Sequence, residues 1–242
     1  MVSLRAHLAR DPRGSLRSAH RHPGTWGFVL GCLLSNVSHA GDSNALLNAW
    51  FSAQTNLQSW SAGFTQTRTL RTLVQPLTVE GRVWVVFPDR FRWELGEPAQ
   101  TIAVRRGEEM WVIYPRLKRA ERYSLAGTQP GPWRDALALL EAGFPRSRAE
   151  LESRFRILAL TPTNEVCRLS LQPRGASARR MMPQIQVSFD ANRFSLLATE
   201  VTFADGSRLR NDYAGAAVNS PISDELFQPK RDPDFTVVDP LR

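Results

Sequence analysis

The sequence predicts a mainly β (α+β) fold, a single curved antiparallel sheet of about eleven strands. Three observations predict it. Short runs alternate apolar with polar residues, turn residues separate them at close intervals, and two helix-periodic stretches sit where they can cover one face of the sheet.

Residues 43–60 carry Leu46, Leu47, Trp50, Phe51 and Leu57 near three- and four-residue spacings, with Ser43 placed to cap an N-terminal helix. Strands are expected at 61–71, 77–87, 90–96, 100–106, 110–115 and 119–125, with turns at Pro88-Asp89, Glu97-Pro98 and Arg106-Gly107. Links this short make an antiparallel meander, because parallel neighbours need long crossovers. The rhythm breaks over 127–153. There Trp133, Leu137 and Leu140 have helical spacing, and Ser147 with Glu150 forms a capping-box pattern for a second short helix. Strands resume at 155–161, 165–172, 184–190, 193–204 and 207–213, and Asp205-Gly206 is a hairpin signal. Gly175-Ala176-Ser177-Ala178 reads as a mobile loop, and 223–227 as a last helical turn before an extended tail.

The most informative stretch is 80–94. On its first strand Val83, Val85 and Phe87 point one way while Trp84 and Val86 point the other. A half-solvated strand alternates apolar with polar residues; this one is apolar on both sides, so a further element must cover its second face. The inner face of the sheet must likewise be lidded, by the N-terminal helix and the 129–154 insertion.

Composition narrows the function. Hydrophobic residues make up 42% and charged residues 22%, ordinary for a globular chain. The net charge of +8 divides in half. Residues 1–40 hold five arginines against Asp11, and the remaining 26 basic and 22 acidic residues are scattered, with none of the clustering of a nucleic-acid-binding face. No apolar run approaches the roughly 20 residues of a membrane-crossing helix.

Residues 1–40 read as an export signal: an arginine-rich start, a short apolar run from Trp26 to Leu34, and small residues at Ser38 and Ala40 before the expected cleavage site. A competing reading takes Val29-Leu30-Gly31-Cys32 as a lipidation signal with Cys32 acylated. Either way, 41–242 is one domain.

All four histidines (His7, His20, His22 and His39) lie in that leading segment, so the domain holds none, and its single cysteine, Cys167, shares an apolar strand face with Leu169 and Leu171. A histidine-based triad and histidine-ligated metal are thereby excluded from the domain. The chain has no G-x-S-x-G, H-E-x-x-H, P-loop or G-x-G-x-x-G pattern. Carboxylates such as Glu108, Glu109, Asp232 and Asp234 fall in apparent loops. The chain is expected not to be an enzyme and to need no cofactor or metal. Trp84, Phe87, Phe91, Trp93 and Trp111, with Trp133, Leu137 and Leu140, read from spacing alone as sheet–helix core.

A family resemblance changes that reading. Gly81-Arg82-Val83-Trp84-Val85 followed by Phe87-Pro88-Asp89-Arg90-Phe91-Arg92-Trp93 resembles the G-x-L-W-x-x-x-P-x-x-F-x-W signature of the LolA family of periplasmic lipoprotein carriers. Ala62-Gly63-Phe64-Thr65-Gln66, the segment 107–115, Leu226-Phe227-Gln228-Pro229 and the tail from Phe235 to Asp239 resemble further family stretches in the same order. The resemblance implies an open half-barrel closed by helices over an acyl-chain cavity, lined by Trp84, Val86, Phe87, Phe91, Trp93, Trp111, Trp133, Leu137 and Leu140. It implies Phe91 as the residue that docks an inner-membrane ABC-type release complex. The expected cargo is acylated lipoproteins or another envelope lipid, carried through the periplasm by a monomer, with an outer-membrane receptor as a further partner. A LolB-like receptor anchored through Cys32 is the alternative with the same fold. In familiar members an arginine before the motif proline latches the lid. Here that position is Phe87, which implies a lid held by apolar contact, or a latch supplied by Arg90 or Arg92.

Overall fold

The computed structural model describes residues 39–125, 137 and 142–240. Among them, helix α1 (His39–Thr55) precedes a meander of β1 (Ser59–Thr69), β2 (Leu77–Val86), β3 (Arg90–Leu95), β4 (Thr101–Arg106), β5 (Glu109–Tyr114) and β6 (Arg119–Ser124). Helix α2 (Arg148–Arg154) leads into β7 (Phe155–Pro162) and β8 (Val166–Pro173). Helix α3 (Ala176–Met181) then precedes β9 (Gln184–Asp190), β10 (Leu196–Thr202), β11 (Arg208–Val218) and β12 (Thr236–Val238). All the strands join one open, curved sheet in the order β12-β6-β5-β4-β3-β2-β1-β11-β10-β9-β8-β7. Its halves meet where β1 pairs with β11, from Trp60↔Val218 to Thr69↔Arg208.

The eleven expected strands are present, and four other expectations need correction. The sheet is mixed and has a twelfth strand: the tail residues Thr236 to Val238 pair in parallel with Arg119 to Glu121 on β6. Helix α1 starts at His39, so Ser43 lies inside it rather than capping it. The same helix stops at Thr55, and Trp60 belongs to β1. Asn219, in the left-handed region at φ 53°, accounts for that stop. Its Oδ1 accepts from the backbone N–H of Gln58 (2.7 Å) and Ser59 (3.3 Å), and its Nδ2 donates to Asn56 O (3.1 Å). A contact 160 residues away in sequence thus overrides the helical spacing that reaches Leu57. Lastly, the loop expected at Gly175 to Ala178 is the start of α3. The helix expected over 133–144, with Trp133 and Leu140, lies outside the described residues save for Leu137 and 142–144.

Helix α2 begins as its sequence pattern requires. Ser147 Oγ accepts from Glu150 N at 3.1 Å, while Glu150 Oε2 accepts from Arg146 N at 3.0 Å, one residue earlier than in the standard capping box.

The concave face of the sheet holds the core. Leu47, Trp50, Phe51 and Gln54, the buried stripe of α1, face it, and Trp50 stacks on Phe189 of β9 with ring centroids 4.6 Å apart and planes 4° from parallel. Cys167 is fully buried in β8, and burial pushes its thiol pKa up. On the other half, Phe64 of β1 lies across Gly81 of β2, its partner in the ladder, and packs on Trp93 at 4.0 Å. A Cβ at Gly81 would stand 2.2 Å from Phe64 Cζ and 2.4 Å from Glu94 O. The glycine is therefore required by the close approach of an aromatic ring and a neighbouring backbone.

The second face of the β3–β5 region is covered by the C-terminal segment. Phe227, fully buried in the 3₁₀ turn Asp224–Phe227, sits under the Arg90 guanidinium at 5.7 Å. Arg90 pairs with Asp224, and Arg92 Nη1 donates to Leu226 O at 2.9 Å. Further along, Trp111, Ile113 and Ala120 form a small outer cluster with Phe235, and Arg231 stands 4.7 Å over the Trp111 ring.

Gly81→Ala is expected to cost about 1–3 kcal/mol through overpacking. Chemical denaturation would measure this as a lowered midpoint with an unchanged slope. Phe227→Ala, which empties a fully buried site on the outer face, is expected to cost about 3–5 kcal/mol by the same measurement.

Candidate functional site

The concave face and Leu137 line a cavity of about 290 Å³. One wall is apolar: Phe91, Trp93 and Leu95 from β3, Ala103 from β4 and Met110 from β5, with Leu137 of the lid. Alternation along β3 puts Phe91, Trp93 and Leu95 on one side, and the register Trp93↔Ala103 opens space because a small residue faces a large one. The opposite wall comes from β1, β10 and β11 and includes Gln66, Thr199, Val201, Leu209, Asn211 and Tyr213.

That second wall is joined by side-chain hydrogen bonds. Gln66 Nε2 donates to Asn211 Oδ1 at 3.0 Å, Asn211 Nδ2 donates to Thr199 Oγ1 at 3.4 Å, and the Thr199 and Tyr213 hydroxyls lie 3.1 Å apart. Thr199 and Asn211 are buried. Tyr213 keeps part of its surface open to the cavity yet sits deep in the fold, where burial pushes its pKa up to about 12. It therefore stays a neutral hydrogen-bonding group at any physiological pH.

The expected site residues separate into groups. Phe91, Trp93 and Leu137 line the cavity together. Phe87 borders an adjoining small cleft with Val85, Phe91, Leu137 and Phe144. Trp84 and Val86 lie on the opposite face of β2 from buried Val83 and Val85, and Trp111 belongs to the outer cluster; none of the three lines the cavity. Trp133 and Leu140 lie outside the described residues. Phe91 is only 7% exposed, so its ring faces the cavity rather than a free surface. Among the described contacts, Arg90 pairs with Asp224, and Arg92 bonds both Glu94 of its own strand and Leu226 O of the C-terminal segment.

Among the described residues, Arg146, which the sequence reading missed, joins the chain ahead of α2 to Phe87 and to the end of α1. Phe144 packs on Phe87 (5.6 Å) and Trp60 (4.9 Å), and the Arg146 guanidinium covers the Phe87 ring at 4.5 Å. Arg146 Nη1 also donates to the last carbonyls of α1, Gln54 O at 3.3 Å and Thr55 O at 3.0 Å. A cation there bonds Thr55 O, adds to the Leu57 N–H that Gln54 O already accepts, and suits the negative end of the helix dipole. Phe87 thus receives an apolar ring from Phe144 on one side and a cation from Arg146 on another, and Arg146 joins this contact to the end of α1. The polar wall was legible in principle, since period-two alternation puts Asn211 on one face with Leu209 and Tyr213.

Among the described residues no group of three or more His, Cys, Asp or Glu side chains could hold a metal, and no helix is long and apolar enough to cross a membrane.

The family model for the outer membrane lipoprotein carrier protein LolA matches residues 55–230. An outer-membrane lipoprotein carrier protein of Coxiella burnetii is 28% identical over 221 residues, covering 89% of this chain and 95% of its own length. One from Photorhabdus laumondii is 30% identical over 95 residues, 36% of this chain and 43% of its own. Among solved structures, a LolA superfamily protein of Nitrosomonas europaea matches with 10% identity and a TM-score of 0.40, covering 77% of this chain and 97% of its own.

Two measurements check the site. In an alkaline absorbance titration, one tyrosine is expected to ionise near pH 12, and that step should vanish in Tyr213→Phe. The folded-state pKa is raised above the ordinary value of 10, so the stability tied to the neutral hydroxyl is intact below pH 10. It is lost as pH rises from 10 towards 12. Separately, Arg146→Met is expected to raise amide exchange of the last turn of α1 several-fold, by uncapping Gln54 and Thr55, while β9 exchange stays unchanged.

Proposed function

Since the chain belongs to the LolA family of outer membrane lipoprotein carriers, we propose that it is a periplasmic carrier. It holds the acyl chains of lipoproteins in the cavity between sheet and lid and shuttles them from the inner to the outer membrane. The family consists of carriers rather than enzymes, and a carrier needs apolar area rather than a catalytic group. The observation that supports the reading best is the cavity wall of Phe91, Trp93, Leu95, Ala103 and Met110 beneath Leu137. Burying an acyl chain is worth about 0.8 kcal/mol per methylene. Ten methylenes then supply about 8 kcal/mol, the scale of a micromolar Kd before ordering costs.

Loading and release then require the lid to move. A lid fixed by Phe87, Phe144 and one arginine opens more readily than a continuous core would, which suits a protein that must surrender its cargo. Phe91 faces the cavity, so docking to an inner-membrane ABC-type release complex through its ring would take place in the open form. Export through residues 1–40 would place the domain in the periplasm, where an outer-membrane receptor accepts the cargo.

The test is native mass spectrometry of the protein purified from a Gram-negative periplasm, with extraction of whatever it holds. A bound acylated lipoprotein or lipopeptide is the expected result; an empty protein that also takes up no hydrophobic dye would overturn the carrier reading. Ala103→Phe, which fills the cavity from β4, is expected to reduce dye uptake at least tenfold, measured beside a thermal melt to confirm folding.

A further inference from the structure

The cavity is mainly apolar, but its β1–β11–β10 wall sets Gln66, Thr199, Asn211 and Tyr213 beside Val201 and Leu209, and a guest made only of hydrocarbon has no use for those polar groups. Gln66, Thr199, Asn211 and Tyr213 come from three adjacent strands whose backbones are already paired: Gln66↔Asn211 and Thr199↔Asn211 are partners in the ladders. Side-chain hydrogen bonds are therefore not what holds these strands in register. Valine or leucine at the same inward positions would satisfy the sheet, as Val201 and Leu209 do on the neighbouring rungs. A polar wall facing an oily guest leaves its donors without water and without partners, which is unfavourable.

The donors are also not all spent. The contact between the Thr199 and Tyr213 hydroxyls uses one of their two hydrogens. Gln66, half-buried at the edge of the wall, gives one of its two N–H donors to Asn211. The raised pKa of Tyr213 keeps its hydroxyl protonated. Among the described residues that line the cavity there is no charge: none is Lys, Arg, Asp or Glu. An uncharged wall with spare donors fits a neutral acceptor such as a carbonyl oxygen, and it fits neither a free carboxylate nor a phosphate, which would need a cation in place of a charge-free lining.

We propose that the β1–β11–β10 wall is a carbonyl seat. While the apolar wall takes the hydrocarbon, the Gln66–Asn211–Thr199–Tyr213 chain takes the ester or amide carbonyl of an acylated ligand, so the cavity selects acyl esters and amides over ether-linked or plain alkyl chains. The inference rests on the carrier reading of the cavity and adds the chemical class of what it admits.

The experiment compares 1,2-dioctanoylglycerol with its dioctyl ether analogue, which differs only in lacking the two carbonyls, by displacement of a hydrophobic dye from the full chain. The ester is expected to bind about tenfold more tightly, the scale of one hydrogen bond. In the double variant Thr199→Val with Asn211→Leu the ester-to-ether ratio should fall to within about twofold. Thr199→Val alone, nearly the same shape, should lower it about threefold and serves if the double variant does not fold. Independently of any variant, the stretch of a ¹³C-labelled ester carbonyl on the bound ligand should lie at the lower frequency of a hydrogen-bonded ester. Equal binding of ester and ether, a preference that survives both variants, or a carbonyl at its unbonded frequency would each overturn the carbonyl seat while leaving the carrier reading intact. Binding of neither ligand would overturn both.

Discussion

A sheet that does not close on itself must bury its concave face against something else, and the elements described around that face answer this constraint. On the β7–β9 half the answer is α1, whose Trp50 lies flat on Phe189. On the β2–β5 half, the described residues that give direct cover are Phe144, on Phe87 and Trp60, and Leu137. Where α1 and the lid do not fill the concavity, a cavity remains. Its position follows from the covering elements rather than from any feature dedicated to a ligand.

The convex side shows the complementary solution. Strand β2 is apolar on both faces, and the segment after β11 crosses β3 and β4, buries Phe227 and adds β12 beside β6. Arg90 and Arg92 bind that segment, so the arginines of the motif stretch serve the outside of the sheet, and the inside is left to its phenylalanine and tryptophan. The same short sequence therefore builds two layers, one on each side of a single strand pair.

Most of this was legible in the chain. Hairpin strands declare themselves through local alternation and through turn residues such as Asp205-Gly206, where Gly206 adopts φ 81°. Elements set by distant partners do not. Strand β12 is three residues long and pairs in parallel across more than a hundred positions, the end of α1 is fixed by Asn219, and Arg146 acts on Phe87 and on the carbonyls of α1. Trp84 and Trp111 illustrate another limit. Alternation put Trp84 opposite Val83, yet an aromatic residue invites assignment to a binding site, and both tryptophans proved to belong to the outer layer. Asn211 and Thr199 look like ordinary strand residues until the register sets them side by side on the inner face.

Cys167 gives the fold a built-in gauge. Its ladder partner is Phe189, the residue on which Trp50 of α1 is stacked, and its sulfur has no exposure. The thiol is shut away by the same helix that covers this half of the sheet, so a modifying reagent can reach it only after α1 lifts or β8 separates from its neighbours. The rate at which the unlabelled protein reacts is then a direct count of how often that half of the molecule comes apart, and it distinguishes a lid that swings alone from one that takes α1 with it.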